Sequence, residues 1–196
     1  MNLEELGQGY YSSEEINDSI QDAYNEICAK TLCIVKTATL PFLPQNYYDF
    51  KTLGIFDYLG TIAIKNNATN LFLFDHLTLR DFDRIRIDWE CWQGQPLFWC
   101  PHSLNLIAIV PFTNPAAGTF TLTYWATAPI LNADEDIPII ASDIHSTFEH
   151  YCTADLLETA AEPTKAAGFW AEYEDDIKDY KKRCHAMAKA DLSLRV

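Results

Sequence analysis

The sequence predicts an α+β protein, a helical bundle of three long helices with an inserted antiparallel β subdomain. Three observations predict it. Apolar residues recur at helical spacing near the start of the chain and again through its last third. Between these regions the pattern changes to short runs rich in β-branched and aromatic residues, separated by turn formers. The composition, 48% hydrophobic and 13% aromatic over 196 residues, is ample for a packed core. The order is therefore helix, β insertion, helix, helix, and the three helices are expected to share one bundle.

Ser12 and Glu15 have the spacing of a capping box, in which the hydroxyl accepts from a free backbone N–H and the carboxylate reaches back. Ile16, Ile20, Ala23, Tyr24 and Ile27 follow, so the spacing predicts a helix over Ser13–Thr31. Asn17, Asp18, Gln21, Asp22 and Asn25 form its polar face. Residues 33–35, 61–64, 71–74, 97–99, 104–110 and 119–127 read as strands. The turn signals are Asn66-Asn67, Gly94-Gln95-Pro96, Pro101-His102-Ser103 and residues 114–118. Residues 119–125 alternate polar and apolar, as a half-buried antiparallel strand does. Thr78 is placed to cap a short helix over Leu79–Ile85, with Asp81 and Asp83 near its start.

Pro129 and Pro138 bracket an acidic loop containing Asp134, Glu135 and Asp136. Ile144, Phe148, Tyr151, Cys152 and Leu156 then line one face of a helix, and Pro163 ends that helix or opens the next. Trp170, Tyr173, Ile177, Tyr180, Cys184 and Met187 step by three and four alternately. This is a coiled-coil-like seam, with Glu174–Lys178 and Asp179–Arg183 as outer pairs. The expected division is residues 1–31 for the first helix of the bundle, 32–130 for the β-rich subdomain, 131–190 for the C-terminal helices and 191–196 for an extended tail.

Twenty-eight acids against 14 bases give a formal charge of −14. Such a surface repels phosphate, which argues against tight or sequence-specific nucleic-acid binding. It remains compatible with a wall past which DNA slides. Residues 134–191 hold 14 acids and six bases, a balance of −8. No apolar run has the length of a membrane span; residues 104–112 come nearest and contain Asn105 and Pro111. The acidic N-terminus lacks the basic start and apolar stretch of a signal peptide. A chain made in a cytoplasm, with no membrane partner, is expected.

No catalytic motif of good specificity is present, and with only seven glycines there is no phosphate loop. No enzymatic activity and no cofactor are expected. The six cysteines contain no C-x-x-C pair and read as small apolar core residues. His145 and His150, five apart on a helix, point in different directions, whereas a zinc pair wants a spacing of four. Together with His150-Tyr151-Cys152 and Cys100-Pro101-His102 they read as core or surface residues, and no metal is expected. Glu172, Glu174, Asp175, Asp176 and Asp179, among Lys178, Lys181, Lys182 and Arg183, read as a solvated helix face. Trp89, Trp92, Trp99 and Trp125 fit burial in the sheet subdomain better than a sugar-binding platform. Two other classes stand beside a structural role: a non-catalytic ligand- or carbohydrate-binding module using exposed tryptophans, and a metal-dependent hydrolase built on His145, His150 and the acidic helix.

Several segments, in order, carry a resemblance. Residues 11–24, YSSEEINDSIQDAY, resemble the opening helix of many phage neck proteins. Asp83-Arg84-Ile85 followed by Trp89, then Gly94-Gln95-Pro96-Leu97-Phe98-Trp99, resembles their central stretch. Ile109-Val110-Pro111, Tyr124 and Pro129-Ile130-Leu131 resemble the strands that close the insertion. Asp136-Ile137-Pro138-Ile139-Ile140, with His145, Phe148 and Tyr151, resembles the start of the first C-terminal helix, and the long charged helix up to Arg183 completes the pattern. The chain thus resembles the head–tail connector or adaptor proteins of tailed bacteriophages, and in layout the tail tubular protein A type.

That resemblance implies a homo-oligomeric ring, commonly of twelve copies, below the portal in the virion neck. Its partners would be the portal protein, a tail nozzle or tail-tube protein, with tail fibres as a further candidate, and double-stranded DNA in non-specific passage. It implies portal contact through helices and a C-terminal tail, here Leu192, Leu194, Arg195 and Val196. The loop with Asn114, Pro115, Ala116 and Gly118 is the candidate for facing the tail. Glu172, Asp175, Asp176 and Asp179 are the acidic candidates for lining the channel.

Overall fold

The structure, a computed structural model, describes residues 11–75, 78–113, 118–132, 136–140 and 142–193, without the side chains of 143 and 185–193. In chain order its elements are α1 (Ser13–Thr31), β1 (Val35–Pro41), β2 (Tyr47–Asp49), β3 (Tyr58–Asn66), β4 (Leu71–Phe72), α2 (Leu79–Ile85), β5 (Phe98–Ser103), β6 (Leu106–Val110), β7 (Thr119–Ala126), α3 (His145–Thr159) and α4 (Pro163–Ser193). The fold is α+β, with four α-helices and two antiparallel sheets among the described residues. The chain divides into two compact units, one running up to Ile34 and resuming at Thr127, the other Val35–Ala126.

In the helical unit α1 begins as its spacing predicts. The Glu15 N–H donates to the Ser12 hydroxyl at 3.2 Å and the Ser12 N–H donates to the Glu15 carboxylate at 2.7 Å, so two free backbone donors are satisfied. Ala23, Tyr24, Ile27 and Cys28 are fully buried on its inner face. Opposite them α3 buries Phe148, Tyr151, Cys152, Ala154 and Leu156, and α4 buries Ala166, Tyr173, Ile177 and Tyr180. Tyr151, Trp170 and Tyr173 meet edge to face with centroids 5.1 to 5.7 Å apart, the arrangement ring quadrupoles favour. Lys30 ties α1 to α4. Its ammonium lies 2.7 Å from both Glu26 and Glu174 and 4.9 Å from the Tyr173 ring centroid.

Three departures matter here. The helices are not three matched rods: α3 has 15 residues, α4 has 31, and the fourth helix, α2, belongs to the strand unit. Pro163 opens α4, which runs on to Ser193, so Asp191–Ser193 are helical where the sequence pattern places an extended tail. The run Ala186-Met187-Ala188-Lys189-Ala190 is composed of strong helix formers and carries the helix through. The outer pairs also shift. Lys178 reaches Asp175 at 2.9 Å, Lys182 reaches Asp179 at 2.8 Å, Glu174 is engaged by Lys30, and the Arg183 guanidinium sits over Tyr180.

In the strand unit one sheet has the order β1-β7-β3-β4 and the other β2-β6-β5. β7 is flanked on both sides, and its alternation is realised residue by residue: Phe120, Leu122, Tyr124 and Ala126 are buried, while the residues between them are partly open. The first strand covers residues 35–41 rather than 33–35, and β2 carries no recognisable signal in sequence. Pro101-His102-Ser103 lies within β5 and is not a turn; the reversal falls at Leu104-Asn105. Pro101 is tolerated because β5 is an edge strand, where a missing N–H faces no partner. Thr78 caps α2 with Asp81, and Phe82 from that helix packs with Trp89, Cys100, Ala108 and Val110.

Of the four tryptophans expected inside the sheet subdomain, Trp89 and Trp99 are buried, while Trp92 and Trp125 are partly exposed. Of the cysteines only Cys28, Cys100 and Cys152 are buried; Cys33 and Cys184 are partly exposed and Cys91 is exposed. The core assignment therefore fails for Cys91. Among the described residues, no helix is long and apolar enough to cross a membrane.

Candidate functional site

Of the acidic residues of α4, Glu172, Asp175, Asp176 and Asp179 have a spacing that sets them on adjoining positions of one helix face. The structure separates them by what they touch. Glu172 and Asp176 turn to α3, where they lie 3.4 Å from Nε2 and 3.1 Å from Nδ1 of His150. Asp176 also accepts from the Thr147 hydroxyl at 3.2 Å. Asp175 and Asp179 point outward, each next to its own lysine. Lys182 holds the Asp179 carboxyl below its ordinary value, chiefly through their hydrogen bond. A shallow cleft of about 450 Å³ opens beside them, lined by Ile144, Ser146, Thr147, Asp176, Asp179, Lys182 and Arg183.

His145 does not join this group. Its ring stands edge-on to Phe148, centroids 6.1 Å apart, so the two histidines face different surroundings as their spacing of five requires. Among the described residues no group of three or more histidine, cysteine, aspartate or glutamate side chains could hold a metal ion. His150 also has both ring nitrogens turned to carboxylates, which leaves neither aimed at a common ligand position.

A second surface emerges from strand register, which sequence alone does not give. Residues opposite one another on antiparallel strands share a face. Thr37 and Thr39 of β1 stand opposite Thr123 and Thr121 of β7, and Val35 stands opposite Trp125. On the other side of β7, Gly60, Ala63 and Lys65 of β3 stand opposite Trp125, Thr123 and Thr121. Phe72 of β4 continues the row from Lys65, whose ammonium lies 6.0 Å from the Phe72 ring centroid. This outer face has no carboxylate and a single base. Trp125 packs close to Gly60, where an added Cβ would come within 3.2 Å of the indole. Phe72 carries the face onto the edge strand at 48% exposure.

The remaining predicted positions are distributed as follows. Gly118 precedes β7, and its carbonyl accepts from the Phe42 N–H at 3.0 Å. Asn114, Pro115 and Ala116 lie outside the described residues, as do Asp134 and Glu135 of the acidic loop. Leu194, Arg195 and Val196 lie outside them too; Leu192 is within α4, and its side chain is not described. The outer sheet face is the feature the residue pattern misses. The threonine alternation of residues 119–123 is its visible trace.

A family model described as SU10 adaptor protein matches residues 4–195. A search of curated proteins finds no match to the chain.

Proposed function

The chain belongs to the SU10 adaptor protein family, and from that premise we propose that it is a structural, non-catalytic head–tail adaptor of a tailed phage. In this reading it acts as one subunit of a ring, of about twelve copies, below the portal in the virion neck. The ring joins capsid to tail and lines the path of the DNA. The observation that carries the reading is the family match over residues 4–195, nearly the whole chain, which coincides with the ordered segments that resemble phage neck proteins.

A ring needs a heterologous interface, in which one surface of each copy meets a different surface of the next. Copies of charge −14 repel one another except where acids are absent, and the outer face of β1, β7 and β3 is such a place. It is the proposed contact between copies. The strand-rich subdomain, residues 32–130, points its loop at Asn114, Pro115, Ala116 and Gly118 toward the tail nozzle or tube. The end of the chain, with Leu192, Leu194, Arg195 and Val196, reaches the portal, and many such weak contacts held in one ring add up to firm attachment. Asp175 and Asp179 are the outward acids of α4, so of the four channel-lining candidates they face passing DNA most directly.

Mixing the chain with the portal protein of the same phage and imaging the product tests the reading. A ring beneath the portal is expected; a virion whose neck lacks this chain overturns it. Deleting residues 191–196 should abolish portal binding while circular dichroism loses no more than a helical turn. Unimpaired binding rejects the tail contact.

A further inference from the structure

α1 ends at Leu32, whose left-handed backbone, φ 53, turns the chain back while its N–H still donates to the Cys28 carbonyl. The turn brings the Cys33 Sγ to 3.8 Å from the Cys28 Sγ, and both are free thiols. Between the two thiols Cys33 donates to Cys28; Cys28 is 0% exposed, so burial keeps its proton in place, and once Cys33 ionises Cys28 is the donor. Cys33 is partly exposed. Its thiol is pulled below the ordinary range, first by the hydrogen bond from Cys28, against the opposing effect of burial, with a smaller part from the Tyr180 hydroxyl. The same hydrogen bond, then burial, pushes Cys28 upward. One reachable, activated sulfur thus sits beside one sheltered sulfur. A disulfide bond of about 2.05 Å requires the sulfurs to close by under 2 Å.

We propose that Cys28 and Cys33 form a dithiol site that takes a small external disulfide, Cys33 attacking it and Cys28 resolving the adduct. The Cys33 thiolate displaces one thiolate from the external disulfide and forms a mixed disulfide. The Cys28 sulfur then attacks the Cys33 sulfur, giving up its proton to the second leaving thiolate. The net change is two protein thiols oxidised to one disulfide and one external disulfide reduced to two thiols. A reducing cytoplasm keeps the pair open, and an oxidising medium closes it. Closure ties the last turn of α1 to the segment that enters β1 at Val35. The site lies in one helix and its C-terminal turn, so it does not depend on the adaptor reading.

The test treats the native full-length chain with oxidised glutathione, blocks the remaining thiols with N-ethylmaleimide and digests with trypsin. Cleavage after Lys30 separates the two cysteines, so their bond joins two peptides that are otherwise distinct. The expected product is that linked pair, with an intact mass lower by two hydrogens. The same product should form in Cys184→Ser, and Cys28→Ser should hold glutathione on Cys33. Three results overturn the proposal: a lasting glutathione adduct on Cys33 of the wild type, a Cys33–Cys184 bond, or an unmodified Cys33. If Cys28→Ser fails to fold, the wild-type peptide map alone decides.

Discussion

Replacing Asp57 should separate two contributions that meet at one carboxylate in the strand unit. Asp57 accepts from the Lys36 ammonium at 2.6 Å and from the Tyr124 hydroxyl at 3.0 Å. The Asp57 and Lys36 side chains keep 30% and 41% exposure, so solvent screens the ion pair, and it contributes about 0.5–1 kcal/mol. Tyr124 is only 5% exposed. Burial, then the Asp57 carboxylate, pushes its hydroxyl up to about 12. Asp57→Ala leaves that hydroxyl without its acceptor, which adds about 1–3 kcal/mol. The expected loss is therefore about 1.5–4 kcal/mol for Asp57→Ala and about 0.5–1 kcal/mol for Asp57→Asn, which keeps an oxygen for Tyr124. Four of the five tryptophans lie in this unit, so tryptophan fluorescence in urea is weighted toward its unfolding, while far-UV circular dichroism is weighted toward the helical unit. Burial alone would raise the Asp57 carboxyl, but Lys36 and Tyr124 outweigh it and hold it below the ordinary 3.8. A carboxyl with a lowered folded value adds stability above its unfolded value and loses it as pH falls through the folded one. The gap between wild type and Asp57→Asn should be full at neutral pH and shrink below about pH 4. Equal losses for the two variants, or a gap that persists unchanged into acid, would refute this account.

Three further outcomes are expected. Ile177→Ala, at a position 4% exposed in the seam of α4, should cost about 2–4 kcal/mol by far-UV circular dichroism in urea; a loss below about 1 kcal/mol would mean that the seam is not packed as described. Thr37→Glu should leave both spectroscopic signatures unchanged and lower ring assembly on the portal by about tenfold or more, since a carboxylate buried unpaired in the contact costs several kcal/mol. Undiminished assembly would move the contact between copies elsewhere and leave the adaptor role standing. Asp175→Lys with Asp179→Lys should slow DNA ejection without preventing assembly; a normal ejection rate would remove α4 from the channel.

What could be read from the residues was local. The α1 capping box, the Thr78 cap and the alternation along β7 each depend on positions within a few residues of one another, and each signal survives folding. β2 did not announce itself: Tyr47-Tyr48-Asp49 is too short to show a period, and its pairing with β6 depends on residues near position 107. β1 was placed too early because Lys36-Thr37-Ala38-Thr39 has little apolar character, as befits an edge strand open on one side. His150 meets Glu172 and Asp176 only through the packing of α3 on α4. Cys28 and Cys33, five apart with no motif, come together only because Leu32 adopts a left-handed backbone, which no propensity would assign to leucine.

The acidic count therefore needs register and pairing before it means anything. Residues 134–191 carry a balance of −8, which suggests a uniformly negative wall. On α4 the wall is interrupted: Glu172 and Asp176 turn inward to His150, while Asp175 and Asp179 each stand under 3 Å from a lysine. Exposed pairs of this kind have little effect on stability but cancel much of one another's field beyond a Debye length of about 8 Å. A polymer passing such a helix meets a mixed surface with a modest negative excess, one that neither captures phosphates nor strongly expels them. Turning Asp175 and Asp179 into lysines then does more than remove two acids. It creates a run with Lys178, Lys181 and Lys182 on the same stretch of helix, with no outward carboxylate left between them. Any retardation of DNA should accordingly weaken as salt rises, because phosphate attraction to such a run is screened. A slowing indifferent to salt would have to come from altered shape instead.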